Sequence, residues 1–479
     1  MKVKAPLGLL LLIFGALLVH GYHPWAEDAE IYLPGVEKLL HPQLFPFNAQ
    51  FFEAHAQSTW YPNFIAASVR LTHLPLDVVL FAWQLVSIFL FLLGCRQLIG
   101  MCFTQERARW AGVALVAALL TLPVSGTALY ILDQYLNPRS FSAFLSLFAI
   151  VKAIDKKYWQ AGLILALIAA LHPLMSVFTF TYCILLSWER VDRRIAAMAC
   201  LLPFGITFAP PPKTYHVVAL AHPFHYITRW AWYEWLGVVA PLIVLWVFAR
   251  IAKSRQMQTL ELMCRALVIY GLIFIPPAIV LSVVPRFEAL ARLAPMRSYW
   301  LLYVLMVLFG GGLLGQYILK DRIWRWLVLF VPLSAGMFLA QRALFRADAH
   351  IEWPGMKPRN PWVHAFEWIR NHTPEEAYFA LDPEYMNQPG EDEQGFRAIA
   401  QRSQLADDVK DSGAVSMFPA MSDEWFRQVQ AQAGWQHFQA QDFQRLHTEF
   451  GVNWVVVDQP GFVGLTCPYQ NSAVRVCRL

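Results

Sequence analysis

Three carboxylates in four positions, Glu27, Asp28 and Glu30 of Trp25-Ala26-Glu27-Asp28-Ala29-Glu30-Ile31-Tyr32, stand directly after the first apolar stretch of this chain. Acid side chains beside a hydrocarbon layer are costly unless they bind a ligand or take part in a reaction. A carboxylate there is suited to take a proton from a nucleophile, or to orient it, at the membrane surface. Glu30 points elsewhere if the segment is helical, because side chains fan around a helix axis. The alternative for all three is a solvated loop whose acids cap the helix that follows.

Composition says what must position these residues. The 479 residues are 57% hydrophobic and only 15% charged, with a mean hydropathy of +0.41. Apolar runs recur at 5–22, 76–99, 107–125, 140–154, 158–172, 173–188, 195–211, 234–252, 266–285, 298–319 and 323–341. Crossing a hydrocarbon layer about 30 Å thick takes roughly 20 helical residues, so these runs predict about eleven spans, some of them short. The fold class expected is mostly α, a polytopic membrane helical bundle.

Basic residues set the expected orientation. Eighteen lysines and arginines, from Lys2 and Lys4 through Lys152, Lys156 and Lys157 to Lys320, Arg322 and Arg325, fall in alternate connections, against eight in the connections between them. Positive charge is retained on the cytoplasmic side, which predicts a cytoplasmic amino terminus and an acidic segment facing out. The first run ends in Val19-His20-Gly21-Tyr22-His23-Pro24 without a small-x-small cleavage site, so it reads as a retained helix in a plasma (inner) membrane. Those basic connections account for the net charge of +5, and no nucleic-acid partner is implied.

Two domains are expected, a membrane module over 1–341 with a long first outer loop at 23–75, and a soluble domain over 342–479. In the tail, Pro361 to Arg370 has helical spacing, Ala377 to Leu381 looks like a strand, Asp423 and Glu424 open a second helix, and Asp442 to Phe450 runs as a helix to Gly451. Trp454-Val455-Val456-Val457 reads as a buried strand, which completes a small extracytoplasmic α/β domain. Cys467 and Cys477 flank a terminal hairpin and suit a disulfide in an oxidising compartment, with Cα atoms within about 7 Å. No cysteine spacing suggests zinc, and no metal ligand is assigned. Within the first outer loop, Ile31 to Leu40 has the pattern of an amphipathic helix lying in the membrane interface. A second long outer loop, Pro210 to Tyr233, is aromatic and basic, as an interfacial belt is.

A first span, an acidic outer loop with interfacial helices, many further spans, a second long outer loop and an outer domain together resemble the GT-C superfamily of membrane glycosyltransferases. The likeness is architectural over the whole chain and reaches motif level at Glu27-Asp28. The tail has no Trp-Trp-Asp signature of the oligosaccharyltransferase branch, so the chain is more similar to other bacterial members. The resemblance implies transfer of a sugar from a polyprenyl-phosphate carrier to an acceptor at the outer membrane face. It implies Asp28 as the carboxylate that deprotonates or orients the acceptor, with Glu27 next in line. A divalent cation serves some members of the superfamily and not others, and is left undecided here.

Cations must then neutralise the leaving phosphate. Arg297, in Pro295-Met296-Arg297-Ser298-Tyr299-Trp300, and Arg139, in Asn137-Pro138-Arg139-Ser140, open spans from the outer side; Tyr299 accompanies the first, and Arg229, Arg286 and Arg292 are weaker versions of the same idea. Either leading arginine alternatively snorkels to the interface. His-Pro pairs occur at His23, His41, His172 and His222. His172, at an outer span end, is placed to share a cavity with Asp28, and His222 lies in the second loop; the alternative for both is a hydrogen-bonded turn residue. A lipid or solute transporter and a non-catalytic scaffold of the same architecture are the competing readings. A transporter expects charge near the midplane and related halves, and the spans here show neither.

Overall fold

The computed structural model describes residues 5–187, 211–461 and 464–479. It is mostly helical. Helix α1 (Ala5–His20) leads into the first loop, which folds as α2 (Ala29–Leu40), α3 (Gln50–Gln57) and α4 (Tyr61–Thr72). The bundle continues with α5 (Leu76–Cys102), α6 (Glu106–Ala118), α7 (Pro138–Ile154), α8 (Tyr158–Leu171) and α9 (Pro173–Ser187). Helices Trp232–Ser254, Gln258–Val283, Tyr299–Leu314 and Ile323–Leu344 complete it. Five stretches, Leu76–Cys102, Trp232–Ser254, Gln258–Val283, Phe287–Leu319 and Ile323–Leu344, are long and apolar enough to cross a membrane, and Pro6–His20, Tyr158–Leu171 and Pro173–Ser187 are shorter apolar helices.

Ten of the eleven expected spans therefore coincide with helices, and the run at 195–211 lies, up to residue 210, outside the described residues. Two boundaries differ from expectation. The run at 107–125 stops being helical at Ala118, because Pro123 cannot donate into a helix ladder; Pro123 instead bridges Tyr130, and residues 119–137 turn back as a loop. The helix expected from 266 starts at Gln258, where Glu261 and Arg265, one turn apart and 3.5 Å from each other, extend it past its apolar part.

The tail carries a five-stranded mixed sheet of order β2-β1-β3-β5-β4, formed by β1 (Tyr378–Ala380), β2 (Ser403–Gln404), β3 (Trp454–Asp458), β4 (Thr466–Gln470) and β5 (Val474–Arg478). β1 pairs in parallel with β2 and β3, while β5 runs antiparallel between β3 and β4. The expected helices appear as Pro361–His372, Ser422–Gln432 and Ala440–Phe450, the last ended by Gly451 at φ +77°. Cys467 and Cys477 form a disulfide across β4 and β5, with Cα atoms 3.8 Å apart.

Helix α2 departs from the interfacial expectation. Ile31, Leu33 and Val36 are buried, and so are Glu30 and Glu37, so both faces are covered. The reason lies in the tail: Arg397 donates to Glu30 (3.2 Å) and Gln401 to Glu37 (3.0 Å), which turns a polar face that would have met headgroups into a protein contact. Loops and tail gather at one end of the bundle, where Thr59 donates to the Leu171 carbonyl, Tyr61 to Leu136 and Tyr215 to Ser416. At the opposite end Arg96 pairs with Glu106 and Arg107 with Asp321, in the connections rich in basic residues.

Candidate functional site

The acidic segment is held to the tail like an added strand. Tyr22 bridges Ile351 in parallel and Ala26 bridges Gln394 in antiparallel sense. Glu27 N–H donates to the Glu393 carbonyl (2.8 Å) and Gly395 N–H to that of Trp25 (2.9 Å). Glu27 then takes a left-handed φ of 59°, which swings the chain from this pairing into α2. The Asp28 carbonyl accepts from Ile31 (3.0 Å) and Tyr32 (3.1 Å), so Asp28 opens the helix, yet its side chain makes no capping bond. Capping does not occupy this carboxylate, which is free to face elsewhere.

Arg139 meets it. Asn137 caps α7 by accepting from Ser140 N–H (3.1 Å), and Pro138 at the first helical position needs no donor partner, so Arg139 is fixed in the first turn. Its guanidinium donates to Asp28 Oδ2 at 3.0 Å and to Asp133 Oδ2 at 3.1 and 3.3 Å. Lys410 Nζ lies 3.7 Å from Asp28 Oδ1 and pairs closely with Glu27. The Asp28 side chain keeps 24% of its surface exposed. Burial alone would raise the Asp28 carboxyl, but Arg139, Lys410 and Arg297 hold it well below the usual carboxylate range, so it is ionised at neutral pH.

Glu27 is committed differently. Burial opposes its ionisation, and Lys410 with a hydrogen bond to Glu393 draws it down; burial and Glu27 push Glu393 up to about 9. The two carboxyls share one proton above Lys410, so Glu27, though its side chain is 28% exposed, is taken up by Lys410 and Glu393, whereas Asp28 Oδ1 has only the longer 3.7 Å approach of Lys410. Lys410 is pushed up by Glu27, Asp28 and Glu393 against its burial and stays charged.

Arg297 and three imidazoles complete the surroundings. The Arg297 guanidinium lies over the Phe224 ring at 4.8 Å, its Nε is buried without a hydrogen-bond partner, and its charge acts on Asp28 and Tyr32. His172 Nδ1 is likewise buried and unpartnered, with Arg139, Arg297 and His55 as its electrostatic neighbours. His55 sets its ring against Tyr32 (6.1 Å) and Phe418 (5.1 Å), and burial lowers it to about 4 despite Asp28. His222 bonds Ser412 Oγ at 3.0 Å, and burial lowers it to about 4 as well, with Arg297 and Lys410 adding to the effect. The result is two ionised carboxylates, Asp28 and Glu27, with Asp133 on Arg139, among three cations and neutral imidazoles; Arg297, whose Nε has no hydrogen-bond partner, is the cation placed to meet an anionic group.

Other expected residues lie apart. Arg229 is exposed and stacks on Tyr226 at 5.8 Å. Tyr299 is buried, its hydroxyl donating to the Gly271 carbonyl (3.4 Å) in the helix packing, so it offers nothing to a ligand. Arg292 donates to the Met417 carbonyl (2.9 Å), and the Arg286 side chain lies outside the described residues. Glu30 is neither solvated nor a cap: with Asp411 it pairs with Arg397, all three fully buried. Four contributors were not singled out from sequence: Asp133, Lys410, His55 and Glu393. Asp133 had a signal, an outer-loop acid six residues before Arg139; Lys410 and Glu393 had none, because only the tail's docking brings them near.

No protein-family model matches this chain, and no curated protein does. Among solved structures, the archaeal oligosaccharyltransferase AglB from Archaeoglobus fulgidus, in complex with an inhibitory peptide and a dolichol-phosphate, aligns at 13% identity with a TM-score of 0.45, over 94% of this chain and 69% of that one. Arabinofuranosyltransferase AftD from Mycobacteria aligns at 14% identity with a TM-score of 0.41, over 99% of this chain and 39% of that one. Likeness at this level assigns neither a reaction nor a substrate to this chain.

Proposed function

We propose that this protein is a membrane glycosyltransferase that moves a sugar from a polyprenyl-phosphate carrier to an acceptor at the outer membrane face, with inversion and with Asp28 as base. The observation that carries the reading is the ionised, part-exposed Asp28 carboxylate ringed by Arg139, Lys410 and Arg297 where the loops meet the bundle. The architecture resembling the GT-C superfamily supports the same donor class.

The acceptor nucleophile gives its proton to Asp28 Oδ1 as its lone pair attacks the anomeric carbon. The bond from that carbon to the phosphate oxygen breaks on the opposite side, and the electron pair leaves with the phosphate. Arg139, Arg297 and Lys410 stand where the growing negative charge is best stabilised. A carboxylate held so low is a weak base in the free protein. A bound phosphate shares the same cations, so its arrival lifts the basicity of Asp28 when it is needed.

The Asp28–Arg139 ion pair also fits a non-catalytic scaffold in which the carboxylate only ties loop to bundle. Asp28→Asn separates the two. In reconstituted vesicles supplied with polyprenyl-phosphate sugars, turnover falls by roughly 10²-fold or more while the fold persists if Asp28 is the base. Unchanged transfer by that variant would refute the assignment.

A further inference from the structure

Away from Asp28, the isolated bridge between Tyr22 and Ile351, with Tyr22 N–H donating to the His350 carbonyl and Glu352 N–H to that of Tyr22, brings three ligand-bearing residues together. His23, Asp348 and Glu352 each offer a ligand atom, and these atoms all lie within 4.8 Å of one another. His23 is fully buried, its ring stacked on Phe345 at 3.8 Å, and its Nδ1 lies 2.8 Å from Glu352 Oε1. Among the described residues, neither Asp348 nor Glu352 pairs with a lysine or arginine, and the ion pair of Glu352 is with His23 alone. Nearby Arg342 donates instead to the backbone carbonyls of Phe345 and Asp348. Asp392, close by, accepts from the backbone N–H groups of Ala347 and Asp348, adding negative charge.

An independent observation comes from Gln394, which is fully buried. Its amide nitrogen reaches Asp348 Oδ2 at 2.8 Å and Glu352 Oε1 at 3.4 Å, while its Oε1 has no hydrogen-bond partner. An amide oxygen and nitrogen are interchangeable by a half-turn about the last side-chain bond. That turn would set the oxygen toward Asp348 and Glu352, where it would accept from a protonated carboxyl or serve a bound cation as a ligand. Asp348 and Glu352 also line a cleft of about 470 Å³, together with Trp25, Trp353 and Arg359, which provides an entry path.

We propose that His23, Asp348 and Glu352 bind one divalent transition-metal ion, with the Gln394 amide oxygen as a further ligand. One imidazole with carboxylate and amide oxygens suits Zn²⁺ or Mn²⁺ better than a hard cation that takes oxygen alone. The ion fastens the first loop, through His23, to the segment after the last bundle helix and to the tail, five residues from Asp28. Its role is to hold that loop, and it does not depend on the reaction proposed for Asp28.

The test uses the full chain, purified in detergent, stripped with chelator and titrated with Zn²⁺ and with Mn²⁺. The expected result is one equivalent of one of these ions per chain and a higher melting temperature on binding. Glu352→Gln and Asp348→Asn each weaken binding by roughly 10-fold or more, whereas Asp28→Asn keeps it. Wild-type protein that takes up neither ion overturns the site whatever the variants do. Binding that survives in Asp348→Asn and Glu352→Gln but is lost in Asp28→Asn also overturns it, by placing the ion at the acidic segment.

Discussion

At the residue scale, Asp28, Arg139 and Lys410 act as one charged unit, and their variants should differ in kind. Arg297→Ala removes a cation whose proposed partner is the lipid phosphate, so steady-state kinetics should show a raised KM for the donor with a smaller change in kcat. The pH profile carries a separate expectation. Because its neighbours hold Asp28 below the usual carboxylate range, kcat/KM should stay level from neutral pH down through pH ~5, where an unperturbed carboxylate would begin to protonate. Lys410→Met withdraws one of those cations, so the acid limb should move to higher pH. An acid limb that does not move in this variant would separate Lys410 from the Asp28 titration.

At the scale of elements, the contact that matters is α2 against the tail, made by Glu30, Arg397, Asp407 and Asp411. One arginine cannot neutralise three buried acids. Burial pushes Glu30 up to about 8 against the pull of Arg397, and burial with Asp411 pushes Asp407 up to about 7. In the unfolded chain Glu30 loses its proton near 4.5, so the folded protein binds more protons between 4.5 and 8, and stability declines as pH rises through that window. Melting temperatures between pH 5 and 8 should therefore fall, and Glu30→Gln, which is neutral throughout, should flatten the decline. Arg397→Ala leaves buried acids without their cation, which costs about 3–5 kcal/mol and should release the tail from α2 to protease. Gly395 belongs to the same contact. A Cβ there would lie 2.6 Å from Glu30 Oε2 and 3.2 Å from its Cα, so Gly395→Ala should also loosen it.

For the whole molecule, the prediction is one of sidedness. Loops, tail and candidate site share one end of the bundle, and the basic connections the other, so the first end should face out. Cysteines introduced at exposed Glu384, in the tail, and at exposed Lys156, between α7 and α8, should label oppositely with an impermeant maleimide in intact spheroplasts. Labelling of Lys156→Cys alone would reverse the orientation and move the proposed site to the cytoplasmic face.

What the sequence determined by itself follows from short-range physics. Apolar runs locate bundle helices because a hydrocarbon layer demands an unbroken apolar length, and Asn137-Pro138-Arg139-Ser140 announces a capped helix start with an arginine in its first turn. The prominence of Asp28 was legible for the same reason, since a carboxylate at a membrane face has few inert explanations. The tertiary structure decided which charges meet. Lys410 lies 382 residues after Asp28 in the chain and Asp133 in a loop created by a helix ending early, so neither partnership leaves a local pattern. Helix α2 shows the limit most plainly: its periodicity suits an interface, and only the docking of Arg397 and Gln401 turns its acidic face into a buried contact. Electrostatic partners are set by distance in space, and for segments this far apart in the chain that distance comes only from the packing of the whole.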